Sequence, residues 1–223
     1  MVHTIFLIIH ITAGFTALFG GLIAAASRKG NRPHLLSGKW FVWTMYIVGV
    51  SALVMTFIKP NVFLLSVALF TLYLTYSGKQ AINYFRLKEA HLPTWKDKAP
   101  VWAALLVSLF MVGRPAYFMI LQERLFVSVQ LVFGLILLMN VIQDLKTFQR
   151  KENFEPRNRK WLLRHIGMIS GAYIATLTAF LVTNIQLRPE WVVWLGPTFI
   201  GTIFISRNTR IWKKKLRLNQ AAQ

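Results

Sequence analysis

The chain contains seven long apolar stretches, which are separated by polar segments. A helix needs about 20 apolar residues to cross a hydrocarbon core about 30 Å thick, and most of these stretches have about that length. An α-helix also satisfies its own backbone hydrogen bonds inside lipid. The pattern therefore predicts an all-α fold, a polytopic transmembrane helical bundle with seven spans. The predicted spans are residues 4–26, 40–58, 62–84, 101–121, 125–145, 162–184 and 191–206.

The fourth stretch is interrupted by an Arg-Pro pair at residues 114 and 115. One interpretation is that the helix ends at Gly113 and the Arg114 side chain extends outward to the membrane surface. The other is that the helix continues to Leu121 with a kink at Pro115, because proline removes one backbone hydrogen bond. The tight turns predicted between the other spans on the same side favour the continuous helix.

Basic residues are strongly segregated along the sequence. Of the 26 Lys and Arg residues, 22 lie in segments 27–39, 79–100 and 146–164 or in the tail 207–223. Because Lys and Arg collect on the cytoplasmic side, the N-terminus is predicted outside and the C-terminus in the cytoplasm, which requires an odd number of spans. This topology accounts for the formal net charge of +19 without a nucleic acid partner. The predicted partners are the lipid bilayer and, at the basic loops, anionic lipid.

The composition fits the same class of protein. The chain has 223 residues, of which 55% are hydrophobic and 15% charged, and it contains no cysteine, so disulfides and thiolate metal sites are excluded. No polar segment is long enough for a separate domain, so residues 1–223 are predicted to form a single integral membrane domain. The sequence has no Walker A, HExxH or GxSxG motif, and it leaves open whether the protein is an enzyme.

The first span carries a histidine, His10, inside an apolar helix. At 100° per residue the small and imidazole side chains of this helix fall within roughly 80° of one another, and the large apolar side chains take the rest of its circumference. Small residues on one stripe allow a second helix to approach closely, so His10 is predicted to face the interior of the bundle. There it either forms an interhelical hydrogen bond or serves as a metal, haem or proton site. The stripe consists of His3, His10, Gly14, Ala17, Gly21 and Ala24.

Two further histidines begin helices that run in the same direction. His34 opens the second predicted helix, just after Pro33, and His165 opens the sixth. If these two helices are neighbours, the imidazoles could meet at one depth, as a bis-histidine haem b or part of a transition-metal site requires. The alternative is that each ring is solvated or hydrogen-bonded.

Asp144 closes the fifth span, with Asn140 one turn earlier on the same helix face. The carboxylate is predicted either to sit in water at the interface or to pair with Arg164 or His165 across the connecting loop. Ionisable groups inside a membrane are functional candidates, although one near the rim is weaker evidence.

The third span carries a second polar face. It includes Tyr73, Tyr76 and Gln80, together with Ser77 and Tyr84, at helical spacing. Tyrosines at a membrane surface usually belong to the aromatic belt. The alternative is a polar cavity lined by Tyr73, Tyr76, Gln80, Arg114, Asn140 and Asp144.

Three segments of the chain, "HITAGFTALFGGLIAAASRKGNRPHLLSGKWF", "LYLTYSGKQAI" and "RHIGMISGAYIATLTAFLV", together resemble a bacterial family of small multi-pass membrane proteins of unknown function. The most specific part is a His-x-x-x-Gly motif in each of the first two helices. The resemblance implies a helical membrane fold in the bacterial inner (cytoplasmic) membrane, and it implies no activity. It makes His10, His34 and His165 the positions that match the family motifs.

Three functions are consistent with this sequence. The favoured one is a non-catalytic membrane component, such as a scaffold, assembly factor or sensor, because every polar residue named has a satisfactory packing role. The second is a membrane redox protein that binds haem or a metal through His10, His34 and His165. The third is a small-solute transporter or channel lined by the cavity candidates. A chain this small is expected to form a homo-oligomer if it transports.

Overall fold

The computed structural model describes residues 1–122, 129–150 and 154–221. These residues form seven α-helices and no strand. Six of the helices, α1 to α6, are long and apolar enough to cross a membrane, which is the architecture of a multi-pass membrane protein. The helices are α1 (Val2–Ala26), α2 (Arg32–Ile58), α3 (Val62–Phe85), α4 (Trp95–Gln122), α5 (Val129–Phe148), α6 (Arg159–Asn184) and α7 (Trp191–Ala221).

The seventh helix differs from the other six in composition. Its first half covers the predicted span 191–206, and its second half carries the basic tail of the sequence. By length and composition it does not join the six helices of the described chain that are apolar enough to cross a membrane. The helical prediction for this segment is therefore confirmed, and the seventh span stays a prediction.

Two helices begin well before the predicted spans because their first turns are capped. The Asn31 side chain accepts a hydrogen bond from the backbone N–H of His34 (3.0 Å), and Pro33 lies in the first turn of α2. At α4, the Asp97 carboxylate accepts the backbone N–H of Thr94 at 2.7 Å, which is one half of a capping box. Caps of this kind extend helices into segments that are too polar to count as membrane spans.

Helix α4 runs without interruption through Pro115, as the continuous-helix interpretation predicted. Proline leaves the carbonyl oxygen of Met111 without its usual intrahelical donor. Gly134 of α5 packs against this point, since a Cβ added at Gly134 would lie 2.8 Å from Met111 Cβ and 2.9 Å from the Met111 carbonyl carbon. The proline and the glycine together bring the two backbones into close contact. Residues 125–128 of the predicted fifth span, and most of the predicted turn at 122–124, lie outside the described residues.

The chain forms two compact units. The first comprises residues 1–75 and 169–201, and the second comprises residues 76–168 and 202–223. Helices α3, α6 and α7 each contribute residues to both. The single integral membrane domain stays a prediction.

In the first unit, α1 packs against α2. A Cβ added at Gly20 would lie 3.3 Å from the Ser37 carbonyl oxygen, and one at Gly21 would overlap the Tyr173 ring, so both glycines allow close approach of neighbouring groups. The Lys29 ammonium donates to the Ala25 carbonyl at 2.9 Å and caps the end of α1. Burial lowers the pKa of the Lys29 side chain.

The second unit contains a cluster of aromatic side chains. Tyr84, Phe154 and Trp161 are almost fully buried, and their ring centroids lie 4.6 to 5.2 Å apart. Offset and edge-to-face contacts at such distances are favourable beyond the area that they bury. The cluster fixes the segments after α3 and before α6, and the backbone N–H of His91 adds a hydrogen bond to the Phe154 carbonyl (3.1 Å).

The contact between α4 and α5 can be tested with two glycines. Gly134→Ala is expected to lower the free energy of unfolding by about 1–3 kcal/mol, because the new methyl group meets the Met111 backbone, which cannot move aside. Gly113→Ala is the matched control, since a Cβ there meets nothing within 4 Å. Unfolding by SDS titration in mixed micelles measures both. Equal stability of the two variants would contradict the close contact.

Candidate functional site

Arg164 and Asp144 form a buried ion pair in the second unit. Arg164 donates from Nη2 to Asp144 Oδ2 at 2.6 Å, and the two side chains are only 11% and 5% exposed. The pairing of Asp144 with Arg164, one of the two interpretations of the sequence, is therefore present. A guanidinium and a carboxylate removed from water stabilise a fold only when their geometry is good and their remaining hydrogen bonds are made.

Most of those remaining bonds come from α5. Arg164 Nη1 donates to Asn140 Oδ1 at 2.7 Å and to Gln143 Oε1 at 3.4 Å, and Nη2 also donates to the Asn140 carbonyl oxygen at 3.0 Å. Asn140 and Asp144 are four residues apart, so both lie on the α5 face that meets the arginine. Ser77 of α3 donates to Asp144 Oδ2 at 3.3 Å. We call Ser77, Asn140, Gln143, Asp144 and Arg164 the arginine cluster.

The Nε atom of Arg164 is buried, and it is the one buried side-chain nitrogen or oxygen of the described chain without a hydrogen-bond partner. The other guanidinium nitrogens, Nη1 and Nη2, each make two contacts with α5 side chains or backbone. The arrangement therefore holds the arginine plane in one orientation against α5. Chemically it neutralises a buried charge and joins α3, α5 and α6.

His165, next to Arg164 in the sequence, also makes a contact within the second unit. Its Nδ1 lies 2.8 Å from the carbonyl oxygen of Gly78 on α3. A carbonyl oxygen only accepts, so Nδ1 carries the proton. The ring therefore ties α6 to α3 beside the arginine cluster.

His10 joins α1 to α2 in the first unit. Its Nδ1 lies 3.1 Å from the Val48 carbonyl oxygen and 3.0 Å from Ser51 Oγ. The Ser51 hydroxyl donates to the Ile47 carbonyl at 2.7 Å, which leaves its oxygen available to accept from the imidazole. The interhelical hydrogen bond, which was one interpretation of His10, is thus formed.

His34 makes the corresponding contact at the other end of the same helix pair. Its Nδ1 donates to the Ala24 carbonyl oxygen at 2.9 Å, and Lys29 reaches the same oxygen at 3.2 Å. The last carbonyls of a helix have no intrahelical partner, so this histidine satisfies one of them. His10 and His34 therefore hold the two ends of the α1–α2 contact.

All three predicted ligand histidines share one protonation pattern. In each, Nδ1 donates to a main-chain carbonyl, so a neutral ring carries its basic lone pair on Nε2. Histidines that bind metals are commonly oriented by such a bond at the other nitrogen. In the described part of the chain, no group of three or more His, Asp or Glu side chains is placed to hold a metal ion. The contacts of His10 and His34 lie in the first unit and those of His165 in the second.

The cavity candidates are spread over several environments. Asn140 and Asp144 belong to the arginine cluster, whereas Tyr73 is buried in the first unit. Gln80 accepts a hydrogen bond from Asn83 on its own helix (2.8 Å), and Tyr76 is half-buried.

Arg114 is exposed on the surface of α4. Its Nη1 donates to Gln130 Oε1 at 3.2 Å, and its guanidinium lies 5.3 Å from the centroid of the Phe118 ring. Exposure next to an aromatic ring is typical of a snorkelling cation near a membrane surface.

The structure contains a second polar network, which the sequence pattern did not predict. The Asp97 carboxylate accepts hydrogen bonds from Tyr84 Oη at 2.7 Å, His91 Nε2 at 3.1 Å and Thr94 Oγ1 at 2.7 Å. The Thr-x-x-Asp spacing before an apolar run signals the helix start and could have been found. The Tyr84 and His91 contacts depend on the path of the segment between α3 and α4, which has no local signature.

No protein-family model, no curated protein sequence and no solved structure matches the chain.

The arginine cluster can be tested by breaking and then replacing the ion pair. Asp144→Leu alone is expected to lower the free energy of unfolding by about 3–5 kcal/mol, because Arg164 keeps a buried charge without its carboxylate. The double variant Asp144→Leu/Arg164→Met is expected to recover most of this loss, since neither charge remains. SDS titration in micelles and the yield of folded protein report the difference. A single variant as stable as the original chain would show that the pair contributes nothing.

Proposed function

We propose that this protein is a non-catalytic component of a membrane, a scaffold, assembly factor or sensor, whose internal polar side chains join helices. One observation supports this most directly: each of the three candidate ligand histidines donates its Nδ1 proton to a main-chain carbonyl of another helix. The arginine cluster also joins helices, because its hydrogen bonds connect α3, α5 and α6. Polar contacts of this kind stabilise membrane helix pairs by about 1 kcal/mol each.

We further propose seven spans, with the N-terminus outside and the C-terminus in the cytoplasm of a bacterial inner membrane. The segregation of 22 of 26 basic residues supports this orientation. An odd number of spans then requires the first half of α7 to cross the membrane, although it is less apolar than the other six helices.

The second candidate function is a membrane redox protein that binds haem or a metal. The observation that favours it is the shared Nδ1 contact, which leaves Nε2 of His10 and His34 as the basic nitrogen of each ring. In that case the histidine–carbonyl bonds would orient ligands as well as join helices.

Because the His10 side chain joins α1 to α2, its removal is expected to lower the stability of the protein. His10→Ala is expected to lower the free energy of unfolding by about 1 kcal/mol, because the contacts of the imidazole with the Val48 carbonyl and the Ser51 hydroxyl of α2 are lost. His3→Ala is the matched control, since this imidazole lies on the same helix and makes no side-chain hydrogen bond in the described structure. SDS titration compares the two. If both variants unfold like the original chain, the proposed role of His10 in joining α1 to α2 is wrong.

The topology can be read by chemical labelling, because the chain has no cysteine of its own. We expect Gln186→Cys, in the connection before α7, to react with a membrane-impermeant maleimide in intact cells. We expect Lys214→Cys, in the second half of α7, to react only after the membrane is permeabilised. Both positions are exposed, so reactivity reports the side of the membrane. Labelling of both variants from the same side would mean that α7 does not cross.

A further inference from the structure

The outward face of α2 combines two cations with a continuous apolar surface. At 100° per residue, positions 32, 36, 39, 40, 43, 47 and 50 fall within about 100° of one another. The cations stand at the N-terminal end, two tryptophans follow, and aliphatic side chains continue along the helix. All seven side chains are exposed: Arg32, Leu36 (58%), Lys39, Trp40 (58%), Trp43 (60%), Ile47 (46%) and Val50 (54%).

The positive charge of this face has no counter-charge nearby in its own unit. The chain contains no Asp or Glu before Glu89, and the residues of the first unit include a single acid, Glu190. Phe63 at the start of α3 contacts Trp194, with ring centroids 4.9 Å apart, so Glu190 lies at the end of the unit where α2 finishes. Helix α2 has 27 residues and is therefore about 40 Å long. No carboxylate of this unit is therefore placed to pair with Arg32 or Lys39.

The order of side chains along the face matches one kind of molecule. Arg32 and Lys39 are two helical turns apart, about 10 Å, which allows both to reach the same phosphate. Tryptophan rings favour the depth of lipid headgroups and glycerol backbones. Below them, Ile47 and Val50 present an aliphatic surface to hydrocarbon.

We propose that the outward face of α2 binds an anionic phospholipid, with Arg32 and Lys39 holding its phosphate and its acyl chains lying along Trp43, Ile47 and Val50. A soluble anion would contact the two cations alone. A lipid uses both parts at once. The site is independent of the roles assigned to the histidines and the arginine cluster.

The test uses the full-length chain purified in detergent, titrated with phosphatidylglycerol or phosphatidylcholine and followed by native mass spectrometry. The double variant Arg32→Gln/Lys39→Gln is expected to lose about 25-fold in affinity for phosphatidylglycerol, about fivefold for each surface cation removed. Its affinity for phosphatidylcholine is expected to stay within twofold. Lys213→Gln/Lys214→Gln is the matched control, since it removes the same charge from exposed positions in α7, and it is expected to lose much less affinity than the α2 variant.

Competition distinguishes a lipid from other anions. Inorganic phosphate and a pentaglutamate peptide, each at millimolar concentration, are expected to leave the bound phosphatidylglycerol in place. Displacement by phosphate would identify a soluble-anion site, displacement by the peptide would identify a protein-binding surface, and either would overturn the proposal. The proposal is also wrong if the α7 control loses as much affinity as the α2 variant. Thermal transitions of both variants, whose changes lie at exposed positions, verify that they remain folded.

Discussion

A guanidinium taken out of water needs a counter-charge and hydrogen-bond acceptors for its terminal nitrogens, and this requirement organises the second unit. Arg164 obtains its counter-charge from Asp144 and its acceptors from Asn140 and Gln143 on the same helix, α5. Ser77 adds a contact from α3. Removing one partner of a buried ion pair costs about 3–5 kcal/mol, so Asp144 and Arg164 each require the other for as long as they stay buried between α5 and α6. The neighbouring His165–Gly78 bond reinforces the same junction.

In the first unit, α1 and α2 are held together by close backbone contact and histidine hydrogen bonds instead of an ion pair. This unit has almost no buried charge, and α1 approaches α2 through Gly20 and Gly21, with histidine hydrogen bonds toward both ends of the contact. Lipid supplies no hydrophobic drive for two apolar helices to associate, so close backbone approach and hydrogen bonds provide the attraction. Histidine suits this task, because one ring nitrogen can reach across to a carbonyl while the rest of the ring packs among apolar side chains.

Much of this architecture could be read from the sequence, for physical reasons. Apolar length predicted the helices, and Pro33 marked the early start of α2. The Thr-x-x-Asp signal at the start of α4 was also available in the sequence but was not used. The stripe with His10 pointed to an interhelical contact because small residues on one helix face serve little else in a membrane. The Tyr84–His91–Asp97 network could not be foreseen, since it depends on how the segment after α3 folds back. The position of Arg114 on the surface likewise follows from packing rather than from its neighbours in sequence.

We propose that the inward histidines join helices and hold no cofactor. The most direct measurement is the visible absorption spectrum of the detergent-purified chain, as isolated and after dithionite, with metal analysis of the same sample. We expect a colourless protein with far less than one metal ion per chain. A reducible haem band with one iron per chain, abolished by His34→Ala or His165→Ala, would contradict it and establish the redox function instead.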